Sequence, residues 1–88
     1  MVRRRLVIHG RVQGVFFRDT LRSLAEQHRV TGWARNTPEG TVETVLEGDR
    51  DAVERVVEFA RRGPEGAEVE HLDVTEEPPE GLGGFSIR

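Results

Sequence analysis

An α+β sandwich, with two helices on one face of a mostly antiparallel sheet in the order β-α-β-β-α-β-β, is what this sequence predicts. Three features carry the prediction: two stretches whose apolar residues recur at helical spacing, five short runs rich in β-branched residues around them, and glycine or proline at most junctions. At 88 residues the chain has material for one hydrophobic core, so 1–88 is read as a single domain.

Each element has its own signal. "RRLVIHG" (4 to 10) is short, β-branched and closed by glycine, which reads as a strand. From Phe17 the spacing turns helical, with Leu21, Leu24, Ala25 and His28 following on one side. "VTGWARN" (30 to 36) and "TVETVLEG" (41 to 48) flank "TPEG", whose Pro38 and Gly40 mark a turn, so the two runs pair as an antiparallel hairpin. "DRDAVERVVEFARRG" (49 to 63) opens on Asp49 as N-cap, aligns Val53, Val56, Val57 and Ala60, and stops at Gly63-Pro64. "AEVEHLDVTEE" (67 to 77) is strand-like, but Val69 is out of phase with Leu72 and Val74, which predicts a bulge or an irregular start. After the loop "PPEGLGG", "FSIR" (85 to 88) alternates as a short last strand.

This order is the split βαβ or ferredoxin-like pattern, in which both helices cover one face of the sheet and leave the other open. The fold hosts many unrelated functions, so the chemistry has to be sought in side chains.

Composition removes several classes of site. There is no cysteine, hence no disulfide framework, zinc-thiolate centre or cysteine nucleophile. All 13 basic residues are arginines, so no lysine chemistry is available, and against 16 acidic residues they leave a net charge of -3. The signs are interspersed, which argues against a polyanion-binding surface. "MVRRRLVIHG" is too short in apolar residues for a signal peptide and no run approaches membrane-spanning length, so a soluble, cytoplasmic chain is expected.

"GRVQGVFFR" (10 to 18) joins the first strand to the first helix. A helix start carries unpaired amides and partial positive charge, so Arg18 stands where a cation is disfavoured, with Asp19 beside it as an offset. A bound phosphate reverses that sign, because its oxygens accept from the amides and the guanidinium together. Gly10 and Gly14 suit the positive φ that turns successive amides inward as a nest. Walker-type and dinucleotide loops are excluded by the missing lysine and the glycine spacing. Two readings stand on these residues alone: a strand-to-helix turn with a solvated arginine, and a cradle for an anion. Phe16 and Phe17 read as core and rim packing rather than as base-stacking platforms.

Asn36 is the only asparagine, and its default meaning is a residue capping the hairpin with its own side chain. In a ferredoxin-like layout, however, the end of its strand lies close to the loop after the first one. At these residues the sequence resembles the acylphosphatase family. "GRVQGVFFR" is similar to the family's phosphate-loop signature, "GWARNTPEGTVE" to its second signature, and "FSIR" to its usual chain end, so the resemblance covers essentially the whole chain. Ala34 departs from a position where larger aliphatics are common, and Glu39 from one where Asp or Lys is frequent.

The resemblance implies hydrolysis of the carboxyl-phosphate bond of small acyl phosphates without metal or cofactor. It implies that Arg18 binds the phosphoryl group with the amides of Gln13, Gly14, Val15, Phe16, Phe17 and Arg18, and that Asn36 positions the attacking water. The expected partners are a small acyl phosphate and inorganic phosphate, with no nucleic acid and no membrane, acting on a monomer. Relatives of this domain also occur inside larger hydrogenase-maturation proteins; a free-standing enzyme is the reading preferred here.

Rival sites are weaker. His9, His28 and His71 are separated and lack metal-ligand spacing, and His71 with Asp73 on one strand face makes only two ligands. Ser23 and Ser86 sit in no nucleophile motif. "EVEHLDVTEEPPE" lacks the spaced oxygens of a calcium loop. "RRR" (3 to 5) is split between strand faces by alternation, and the strands "RRLVIHG" and "TVETVLEG" carry no aromatic residue on which a base would stack. The remaining alternative to an enzyme is a regulatory anion-binding domain without turnover.

Overall fold

The alternation of the first strand sorts its side chains. In the computed structural model, which describes residues 1–88, β1 (Val2–Arg11) turns Leu6 and Ile8 toward the helices and Arg3, Arg5 and His9 to the other side. It is followed by α1 (Phe17–Gln27), β2 (Thr31–Asn36), β3 (Val42–Gly48), α2 (Arg50–Arg62), β4 (Glu68–Glu77) and β5 (Phe85–Ile87). Leu6, Ile8, Ala34, Val42 and Leu46 from the sheet meet Phe17, Leu21 and Ala25 of α1 and the valines of α2 in one buried cluster. Fully burying a side chain of this size stabilises by about 1.5–3 kcal/mol, so this seam holds the helices to the sheet. Asp49 does cap α2, but through its backbone oxygen, which accepts from Val53 at 2.9 Å; its carboxylate makes no capping bond.

The strand order is β4-β1-β3-β2-β5, antiparallel throughout except for the parallel pair β2 and β5. Two helices on one face of this five-stranded sheet give the ferredoxin-like architecture that the sequence predicts. No helix is long and apolar enough to cross a membrane.

The irregularity expected at Val69 is a bulge in β4. His9 pairs with His71 and Gly10 with Val69, leaving Glu70 as the extra residue. The inserted residue returns Val69 to the helix side, where it packs on the core with Leu72. Gly10 accommodates the close approach of β4: a Cβ there would stand 2.1 Å from the Glu68 carbonyl oxygen, at a φ of 125°. That corrects its assignment to an amide nest, because Gly10 lies within β1 and its freedom serves the bulge.

The face away from the helices is not open, contrary to the expectation from the sequence. Val45 is fully buried there and Trp33 nearly so. Glu47, 1% exposed, accepts from Arg3 at 2.6 Å and from the backbone amides of Glu80, Gly81 and Leu82 at 2.9, 3.0 and 3.2 Å. The loop between β4 and β5 is thereby drawn across the sheet. Burial alone would push the Glu47 carboxyl up; these amides and the Arg3 guanidinium hold it below the usual carboxylate range. Arg5 joins Glu77 and Glu43, each at 2.6 Å, and its guanidinium carbon lies 5.6 Å from the Trp33 ring centre, with that of Arg88 at 4.4 Å. Arg4, on the helix side, pairs instead with Glu54 at 3.0 Å and Glu76 at 3.2 Å, so the arginine run is indeed divided.

His9 and His71, far apart in sequence, are cross-strand neighbours, which corrects their reading as separated. Their Nε2 atoms approach opposite oxygens of Asp73, at 3.0 and 2.7 Å. Strand pairing, invisible in sequence distance, brings them together. The carboxylate sits between the rings, and no set of three metal-ligating side chains converges on one point.

Candidate active site

Two buried apolar residues fix the ends of the first loop. Val12 is 1% exposed just after β1 and Phe17 2% exposed at the start of α1, where its ring meets Phe59 edge-on at 5.9 Å. Residues 13 to 16 must therefore arch outward between these anchors. Gly14 has φ 76° and Phe16 has φ 59° and ψ 30°, left-handed conformations that turn successive amides toward one side. Phe16 occupies the N-cap of α1, and no side chain caps the helix. The first amides of α1 are thus left to whatever ligand the pocket takes.

The sequence singles out six residues for this loop, and they divide. Gly14, Phe16, Phe17 and Arg18 line a pocket of about 220 Å³ together with Asp19 and Asn36. The side chain of Val15 is half-buried and packs against the core. Gln13 has a role that the sequence does not reveal: its side-chain amide donates to the carbonyls of Thr37 and Thr41, at 2.9 and 3.0 Å. This clamps the loop to the β2–β3 turn. The threonines on each side of Pro-Glu-Gly signal a turn closed by their hydroxyls, but not that Gln13 reaches it.

That turn also decides the meaning of Asn36. Thr37 and Thr41 close it through a backbone bond of 2.9 Å and a hydroxyl pair at 2.6 Å. Asn36 does not cap the hairpin, which corrects the default reading. It ends β2 opposite Val42, and its Oδ1 is buried without a hydrogen-bond partner in the protein. An unpaired buried acceptor costs about 1–3 kcal/mol, and a water donating to it removes that cost.

Arg18 is half-buried at the start of α1, its Nη1 donating to the Arg88 backbone oxygen at 3.0 Å. Asp19 stands in the first turn of α1, where the sequence expects it to offset the penalty at the helix start, and its carboxylate lies 3.7 Å from Arg22. Arg18, the uncapped start of α1 and Asn36 therefore line one small cavity. Its volume is below the about 300 Å³ at which pockets for drug-sized ligands begin. Chemically the site can hold a small tetrahedral anion and orient one water beside it.

The same residues lie within a span that matches known proteins. The acylphosphatase family profile matches residues 4–87. The chain is 49% identical over 85 residues to an acylphosphatase of Rubrobacter xylanophilus, covering 96% of this chain and 77% of that one. It is 49% identical over 86 residues to an acylphosphatase of Thermococcus kodakarensis, covering 98% and 94%. Among solved structures it is similar to the crystal structure of acylphosphatase from Bacillus subtilis, with a TM-score of 0.96 at 36% identity over 100% of this chain and 99% of that one. Loop, helix start and hairpin all fall inside these matches, and the chain belongs to the acylphosphatase family, enzymes that hydrolyse acyl phosphates.

Proposed function

We propose that Arg18 and the amides of residues 13 to 18 bind the phosphoryl group of an acyl phosphate while Asn36 orients the water that attacks phosphorus. The observation that carries this reading is that Arg18 and Asn36, whose Oδ1 finds no partner in the protein, line one pocket at an uncapped helix start. Phosphoryl transfer spreads negative charge over the equatorial oxygens, and fixed amides with one guanidinium stabilise it without reorganisation. Asn36 Oδ1 accepts a hydrogen bond from the water, which turns a lone pair of the water oxygen toward phosphorus.

As that oxygen bonds to phosphorus, the bond from phosphorus to the carboxyl oxygen breaks and the electron pair leaves with the carboxylate. This leaving group is weakly basic and needs no strong general acid. Amide and guanidinium groups do not titrate near neutrality, so the substrate phosphate takes the water's proton. A rate that depended on a group titrating near about 6.5, the ordinary histidine value, would count against that step.

In this reading the chain acts as a cytoplasmic monomer without metal, nucleic acid or membrane. Hydrolysis of benzoyl phosphate in the presence of a metal chelator is the test. Turnover well above the spontaneous rate is expected; none would favour an anion-binding domain without catalysis.

A further inference from the structure

Phe16 carries two features that the fold does not use. Phe16 is 77% exposed, whereas Phe17, Trp33 and Phe85 are all at least nine-tenths buried. Its backbone is left-handed, φ 59° and ψ 30°, a conformation that glycine or asparagine adopts more readily than an aromatic residue. Strain of this kind persists where the surroundings enforce it, and it gathers at ligand sites. Here the enforcing contacts come from Thr20, whose amide and hydroxyl both donate to the Phe16 carbonyl, at 3.1 and 2.8 Å. Phe16 thus lines the pocket together with Arg18 while most of its surface stays open to solvent.

The shape of the cavity says what meets that ring. Val12 and Phe17 close the floor, so a phosphoryl group seated on the loop amides has its acyl substituent directed outward. On the rim the acyl group meets the ring of Phe16, the Cβ-less Gly14 and the exposed carboxylate of Asp19. Phe16 is the one large apolar surface there, and Asp19 repels a second negative charge.

We infer that Phe16 is a specificity-determining residue, an apolar lip against which the acyl group rests, selecting uncharged aromatic or bulky acyl phosphates over acetyl phosphate. The inference rests on the acyl phosphate reading of the pocket and names its substrate class.

The test compares kcat/KM for benzoyl phosphate and acetyl phosphate in the wild type, Phe16→Asn and Phe16→Tyr. Asn suits the left-handed backbone but lacks the ring, whereas Tyr keeps it. Using the ratio of the two substrates cancels any loss of phosphate binding common to both. The wild type should favour benzoyl phosphate, the ratio should fall about tenfold in Phe16→Asn, chiefly through a higher KM for benzoyl phosphate, and Tyr should restore it. A wild type that hydrolyses both substrates but keeps its ratio within about twofold in Phe16→Asn overturns this inference alone. A wild type that hydrolyses neither overturns it together with the reading it rests on.

Discussion

Arg18 stands where the helix dipole disfavours a cation, and within the chain its guanidinium bonds only to the Arg88 backbone oxygen. The local rule it breaks is visible in the sequence, as is the single asparagine, and for that reason both residues stand out on sequence alone. Gln13 and Phe16 cannot be read in the same way. Nothing near Gln13 announces that its side chain reaches a turn 24 residues away, and an aromatic residue is not where a left-handed backbone is expected. For Arg18→Ala, steady-state kinetics on benzoyl phosphate should show a higher KM and a lower kcat together, with kcat/KM down roughly a hundred- to a thousandfold. The thermal midpoint should stay level or rise slightly, because a misplaced cation costs about 0.3–1 kcal/mol at a helix start. A fall in stability that matched the fall in activity would mean that the side chain is structural.

Secondary structure is the most legible level. Helical periods place α1 and α2 to within a residue or two, and the phase break at Val69 marks the bulge, because alternation is a local property of the chain. Pairing is less legible. The parallel contact of β5 with β2 and the facing of His9 by His71 depend on sheet order, which no local pattern encodes. β1 starts at Val2 rather than Arg4, with Val2 paired to Gly48 and Arg3 joined to Glu47 on β3 and Glu77 on β4. Gly10→Ala tests the bulge: its methyl group would meet the Glu68 carbonyl at 2.1 Å, so the two strands must separate or shift. Urea unfolding should register a loss of about 3 kcal/mol or more. A loss under about 1 kcal/mol would show that the bulge yields easily.

At the scale of the whole molecule, the sheet side that the sequence leaves open is closed by charge. Arg5 and Arg3 hold the Glu77 carboxyl down to about 2, Arg3 and three loop amides hold Glu47 below its ordinary value despite burial, and His71 and His9 lower Asp73. A depressed folded-state value means that the unfolded chain binds more protons in acid. The stabilisation is therefore complete above the unfolded carboxyl value of about 4.3 and is lost as pH falls toward 2. Thermal midpoints should stay nearly level from neutrality to about pH 5 and drop steeply below about pH 4, with Glu77→Gln flattening the acid limb. An unchanged acid limb in that variant would remove Glu77 from the explanation.

The same topology sets β1 beside β3 and β3 beside β2, which brings the loop after β1 to the end of β2 and so Arg18 and Asn36 to one pocket. The most direct test of that juxtaposition is the steady-state kinetics of Asn36→Ala on benzoyl phosphate, with inorganic phosphate as inhibitor. If Asn36 orients the water as proposed, its loss should lower kcat about a hundredfold while KM and phosphate inhibition stay near wild type. A kcat left intact, or a loss confined to KM, would contradict the assignment of Asn36 to the attacking water.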